Sequence, residues 1–174
     1  NACGLHSIVY GSVRDHIIEV KALLHDGSEV IFGDLTEEQY RQKCTLDTSE
    51  GLIYREIDSI MSDAGNRDSI LRDYPDSTIP RRNTGYALDD LLYGGPFTAG
   101  SGRGINLARL IAGSEGTLAI VTEAKLGLVP LPPPVKALSC VHLRSRNDAF
   151  RANLIALGYK PWAVELMDNN ILRL

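Results

Sequence analysis

Few side chains here are spaced for chemistry of their own. The four histidines, His6, His16, His25 and His142, are scattered and have no evident carboxylate or thiol partner in sequence. Each reads as a surface or satisfied core histidine rather than a general base. Cys3 sits in a glycine-bearing loop where only His6 is placed to lower its pKa, a weak case for a nucleophile. Arg81 and Arg82 have the fork geometry that grips a carboxylate, although a solvated pair on a loop is the simpler reading. Glu165 and Asp168 lie in a strand-like stretch with too little context to be assigned as acid and base. Cys3, Cys44 and Cys140 are odd in number and widely spaced, which argues against a disulfide framework and for a reducing cytoplasm. No C-x-x-C or H-x-x-x-H spacing suggests a zinc or iron–sulfur site.

The glycines point instead to chemistry carried by a bound group. Gly113-Ser114-Glu115-Gly116-Thr117-Leu118-Ala119-Ile120-Val121-Thr122-Glu123-Ala124 places small residues just before a β-branched run. Such backbone can lie close to something flat or anionic. Gly116 permits the approach, Thr117 adds a hydroxyl, and Ile120 and Val121 offer an apolar wall. The plain alternative is a turn feeding a core strand, and pattern alone favours it. Gly100-Ser101-Gly102-Arg103-Gly104 lacks the full G-x-G-x-x-G spacing, because Ile105 stands where the last glycine belongs, and it reads as a mobile loop.

The elements that must hold these residues follow from periodicity. Residues 1–11 read as a loop entering a strand. Residues 17–32 read as a hairpin, with Ile18, Val20, Ala22 and Leu24 on one face and Asp26-Gly27 as its turn. Thr36 with Gln39 predicts a capping box. Residues 50–63 predict a helix with Ile53, Ile57, Ile60 and Met61 on one face, ended by Gly65 and Asn66. A shorter helix follows over 68–73. Leu88, Leu91 and Leu92 fit another helix, and Leu107, Leu110 and Ile111 a further one, with Gly113 as a C′ glycine. A strand then spans 118–128. Beyond Pro130 and Pro132-Pro133-Pro134 the pattern restarts as strand 136–143, helix 147–157 and strand 161–168. A composition of 44% hydrophobic and 23% charged residues suits a globular protein, and a net charge of -4 argues against general nucleic-acid binding. No apolar run approaches the ~20 residues of a membrane span. The ends, Asn1 without Met and Leu174 inside an apolar run, suggest an internal fragment.

Gly113–Ala124 resembles the G-S-E-G-T-L-G-I-[IV]-T-E-A signature of FAD-linked oxidases and dehydrogenases of the vanillyl-alcohol oxidase / p-cresol methylhydroxylase type. The group it is most similar to holds the glycolate oxidase D-subunit, D-lactate dehydrogenase and D-2-hydroxyglutarate dehydrogenase. Asn1-Ala2-Cys3-Gly4-Leu5 with Tyr10-Gly11 resembles a second block, and Arg82-Asn83-Thr84-Gly85-Tyr86-Ala87-Leu88 a third. The blocks occur in the family's order and span about residues 1–134.

The resemblance implies an α+β fold. Residues 1–134 would be the C-terminal part of the FAD-binding domain, a mainly antiparallel sheet flanked by helices. Residues 135–174 would begin a ferredoxin-like cap, where Glu165-Leu166-Met167-Asp168 is similar to a common E-x-M-D stretch. Ala2, Cys3, Gly4, Leu5, Gly11, Glu115, Gly116, Thr117, Leu118, Ala119, Ile120 and Val121 would approach FAD. Ala119 stands where the family has Gly, which makes its contact the least secure. The diphosphate-holding glycine loop would lie before Asn1, and the family's catalytic and metal-binding histidines after Leu174, so no catalytic or metal-ligating residue is expected in this stretch. The whole protein would pass hydride from a small 2-hydroxy acid to the flavin and electrons onward, with an iron–sulfur domain of the same chain as one candidate acceptor. It would be cytoplasmic, with membrane association left open, and the fragment alone would be inactive and hold FAD weakly or not at all. Two alternatives stay open: a non-redox flavin enzyme resembling an ether-lipid synthase, and a cofactor-free interaction module.

Overall fold

The computed structural model describes residues 3–76, 78–79, 82 and 85–173. Ala2, Arg81, Asn83 and Thr84, singled out above, lie outside the described residues. The chain divides into two compact units, Ser12–Leu128 and Cys3–Gly11 with Val129–Leu174.

The larger unit is α+β. Its three-stranded antiparallel sheet has the order β2-β1-β3, with β1 Ile17–Leu23, β2 Glu29–Phe32 and β3 Ile120–Leu126. Asp26 and Gly27 turn the β1–β2 hairpin, as their types predict. Gly27 takes φ +82°, and the Asp26 carboxylate accepts from the Ser28 N–H at 2.9 Å. Val20 pairs with Phe32 and Ala22 with Val30, and all four are buried on one face. Ile18 does not join them. The β1–β3 register shifts between Ile17 and Glu19, so Ile17 is buried and Ile18 is 43% exposed. An extra residue in one strand flips every side chain before it to the other face.

Helices cover the buried face. A short helix, α2 (Val13–His16), enters β1 behind a Ser12/Asp15 capping box. The expected Thr36–Gln39 box opens α3 (Glu37–Cys44), with bonds of 2.9 and 3.2 Å. In α4 (Ser49–Ser62) the buried stripe is Gly51, Tyr54, Ile57 and Met61, while Ile60 is 39% exposed. Ile57 and Met61 of the expected face are therefore buried and Ile53 packs partly against the core, while Tyr54, against Tyr40 and Phe32, joins the stripe and Ile60 does not. Gly65 and Asn66 do not end this helix. Asp63 caps a new one, accepting from the Asn66 N–H at 2.8 Å, so α5 spans Ala64–Asp73 and stops before Pro75. Two short helices, α6 (Leu88–Leu92) and α7 (Ala108–Ile111), complete the unit. Tyr40, Tyr54, Met61, Leu91, Leu92, Ile105 and Val20 are its largest fully buried side chains. The aliphatic ones and Met61 each contribute about 1.5–3 kcal/mol by leaving water.

Among the described residues the smaller unit has local order and no comparable core. A short helix, α1 (Ser7–Tyr10), ends at Gly11 with φ +74°. Trp162 meets the His6 and Tyr10 rings edge-on at 5.6 and 5.7 Å, and its carbonyl bonds to His6 Nδ1 at 3.1 Å. Ser145 caps α8 (Arg146–Leu157), which buries none of its residues, and a 3₁₀ turn spans Ile171–Arg173. The strands expected over 136–143 and 161–168 do not form; both segments are irregular. A strand exists only through hydrogen bonds to a neighbour, and β-branched composition supplies none. No helix among the described residues is long and apolar enough to cross a membrane.

Candidate functional site

The Gly113–Ala124 stretch leaves α7, makes one tight turn and becomes β3. Glu115 and Gly116 take φ +51° and +79°, and the Thr117 N–H bonds back to the Ser114 carbonyl at 3.0 Å. Two left-handed central residues are the φ pattern of a type I′ turn. Gly116 adopts it freely and a Cβ there would meet open space, whereas Glu115 holds it at a cost of about 1–3 kcal/mol. Both residues are exposed, and among the described residues no acceptor takes either main-chain N–H. An anion can therefore reach two donors here, although the Glu115 carboxylate would repel it.

Gly113 is needed for a different reason from the one its position suggests. It is not left-handed. A Cβ on it would collide with the Arg14 guanidinium and the Gly85 carbonyl, so close approach selects the glycine. Arg14 is buried and donates to the Gly85 carbonyl at 2.7 Å and the Arg109 carbonyl at 3.0 Å. Burial pulls its pKa down, partly offset by Asp90. Arg109 ion-pairs with Asp90 and donates to the Arg14 carbonyl at 3.0 Å. Burial pushes the Asp90 pKa up, but bonds from Arg109 and Arg103 outweigh it and hold the carboxyl below its ordinary value. Tyr86 closes the structure on the outer side, its hydroxyl 2.6 Å from Thr117 Oγ1.

β3 is not the core strand of the plain reading. All seven of its residues are exposed, with Ile120 at 67% and Val121 at 45%. Leu118 is exposed as well, while the Ala119 methyl packs against the core. The strand forms because β1 pairs with it, and it offers apolar side chains to solvent on an outer edge.

The remaining candidates are distributed. Glu115 to Val121 belong to the larger unit, and Cys3, Gly4, Leu5 and Gly11 to the smaller. Arg82 is no solvated loop residue: it ion-pairs with the buried carboxylate of Asp89. The Gly100–Gly104 loop is tied down by a Gly95-to-Arg103 main-chain bond of 2.7 Å and an Arg103–Asp90 ion pair of 2.8 Å. An open depression of about 420 Å³ between Ser62, Ala64, Arg67, Asp68, Pro96 and Phe97 contains none of the predicted residues. Among the described residues no group of His, Cys, Asp and Glu is placed to hold a metal ion. Sequence reasoning missed Arg14, Tyr86 as a hydroxyl partner, and Asp90 with Arg109. Two acids among leucines in Leu88-Asp89-Asp90-Leu91-Leu92 were the available signal, since buried carboxylates need cations.

The chain is 29% identical over 177 residues to a D-2-hydroxyglutarate dehydrogenase of Pseudomonas putida. It is 30% identical over 174 residues to a D-2-hydroxyglutarate dehydrogenase of Escherichia coli. Both alignments take in 100% of this chain and 16% of the relative, so the chain spans about one sixth of the length of the curated relatives it matches. A stretch of 75 residues, 40% of the chain, is 37% identical to the glycolate oxidase subunit GlcD of Escherichia coli and covers 14% of it. No family model matches the chain, and no solved structure matches it.

Proposed function

From a homology to D-2-hydroxyglutarate dehydrogenases that runs the full length of this chain, we infer that it is a segment of an FAD-dependent dehydrogenase oxidising a small 2-hydroxy acid. That end-to-end similarity carries the reading, and the names agree with the group that the Gly113–Ala124 motif resembles. FAD, when bound, supplies the acceptor for the hydride. The residues here would shape part of its site. The Ser114–Thr117 turn, exposed from Glu115 to Thr117, would present the Glu115 and Gly116 main-chain N–H groups, and Leu118, Ile120 and Val121 an apolar wall. These features fit a cofactor that is both apolar and anionic, provided its phosphates meet main chain and not the Glu115 carboxylate. Cys3, Gly4, Leu5 and Gly11, in the smaller unit, are proposed to approach FAD as well. In this reading residues 1–134 are the C-terminal part of an FAD-binding domain, residues 135–174 open a substrate cap, and electrons pass onward to an acceptor for which an iron–sulfur domain of the same chain is one candidate.

Mixing the full-length protein anaerobically with D-2-hydroxyglutarate, D-lactate or glycolate tests the assignment. Bleaching of bound flavin by one of them is expected. A flavin that none of them bleaches would overturn the 2-hydroxy-acid assignment. Residues 1–174 expressed alone should retain little FAD, and a yellow, stoichiometrically flavinylated preparation would contradict the expectation that other parts of the protein complete the site.

A further inference from the structure

We propose that Arg14, Tyr86 and Thr117 form a clamp that sets the Ser114–Thr117 turn, so that they are positioning residues for the main chain facing the cofactor and not cofactor ligands themselves. The inference rests on the flavin reading above. Its central observation is the Thr117 hydroxyl, which lies 2.6 Å from the Ser114 carbonyl and 2.6 Å from the Tyr86 hydroxyl. A carbonyl can only accept, so Thr117 gives its one proton to Ser114. At the other contact Thr117 therefore accepts, and Tyr86 donates. Both hydroxyl protons are used inside the clamp, and neither remains for a phosphate oxygen.

Tyr86 can act as a fixed donor because its own backbone is held from both sides. The Tyr74 hydroxyl donates to the Tyr86 carbonyl at 2.7 Å, and buried Arg14 donates to the preceding Gly85 carbonyl at 2.7 Å. Arg14 also lies against Gly113, where no larger residue fits, and holds the Arg109 carbonyl in α7, the helix that leads into the turn. The turn is thus pinned before it begins, at Gly113, and where it ends, at Thr117. Between these points Glu115 keeps a left-handed conformation that its side chain disfavours. Strain of that kind persists only where surrounding contacts over-determine it. The clamp supplies those contacts while leaving the Glu115 and Gly116 N–H groups open.

The test is FAD titration of full-length apoprotein carrying Tyr86→Phe, Thr117→Val or both, with the visible spectrum of the bound flavin and the thermal midpoint of the apoprotein recorded alongside. Tyr86→Phe should weaken FAD binding about five- to tenfold, the effect of one lost hydrogen bond, and Thr117→Val, which also loses the bond to the Ser114 carbonyl, at least as much. The double variant should be no weaker than Thr117→Val alone, because that change already removes the contact that Tyr86→Phe breaks. The flavin spectrum should shift while the apoprotein midpoint stays within about 2 °C. Losses that multiply in the double variant would mean that Tyr86 and Thr117 act on the cofactor independently, and would overturn the clamp. So would unchanged affinity and spectrum in both single variants. A wild-type protein that takes up no FAD would instead overturn the flavin reading, a result distinct from either. Arg14→Lys, which keeps the charge and loses the two-carbonyl grip, should weaken FAD more than Tyr86→Phe does. If it fails to fold, the two exposed hydroxyl variants decide the matter.

Discussion

The two units of this chain obey the same local rules and reach different ends. In Ser12–Leu128 each amphipathic pattern meets another, and every buried hydrophobic residue among those described belongs to this unit. In the smaller unit α8 has an equally sound N-cap, Ser145 with Asp148, yet Phe150 and Leu154 are 56% and 70% exposed. Capping and propensity decide where a helix begins. Burial decides whether it is stable, because an isolated helix of this length is marginal in water.

The largest expected effect lies in amide exchange of residues 1–174. Amides of β1 should be protected about a thousandfold or more beyond those of α8, reflecting global against local opening. Comparable protection in both would break the contrast between the units. Next comes core truncation. Met61→Ala should cost about 2–5 kcal/mol in urea unfolding, and Leu154→Ala less than about 0.5 kcal/mol. Acid sensitivity should be smaller and confined to the larger unit. Asp90 titrates lower when folded than unfolded, so its contribution is complete above the ordinary Asp value of about 3.9 and is lost as pH falls through the depressed folded value. Asp90→Asn should remove about 2 kcal/mol at neutral pH, by leaving Arg109 and Arg103 without their carboxylate, and should flatten the acid limb of a stability–pH curve. The smallest test compares two caps: Thr36→Ala in α3 should cost about 1 kcal/mol, while Ser145→Ala in α8 should leave the unfolding midpoint unmoved.

What could be read in advance was local. Asp26-Gly27 specifies a turn because Asp bonds its own backbone and Gly tolerates a left-handed φ. Thr36 and Gln39 specify a helix start because each satisfies an amide that the other leaves open. The Gly113–Ala124 motif was legible as a family likeness, and the relatives carry the names it implies. Its geometry was not legible. Gly113 does follow the α7 C-cap, Ala112, but what selects glycine there is close approach to Arg14, a residue 99 positions earlier in the sequence. Ile18 looked like a core residue until a register shift against β3, over a hundred residues away, turned it outward.

The sequence by itself determined the hairpin, most helix starts, the left-handed freedom of Gly116 and the kinship, because each resides in neighbouring residues or in residue identity. Only the tertiary structure decided that Arg14 would be buried, that Thr117 would spend its proton on Ser114, that β3 would lie on an outer edge and that 136–143 would find no strand partner. Those outcomes depend on which distant backbone groups arrive within about 3 Å of one another, and no spacing along a chain encodes that distance.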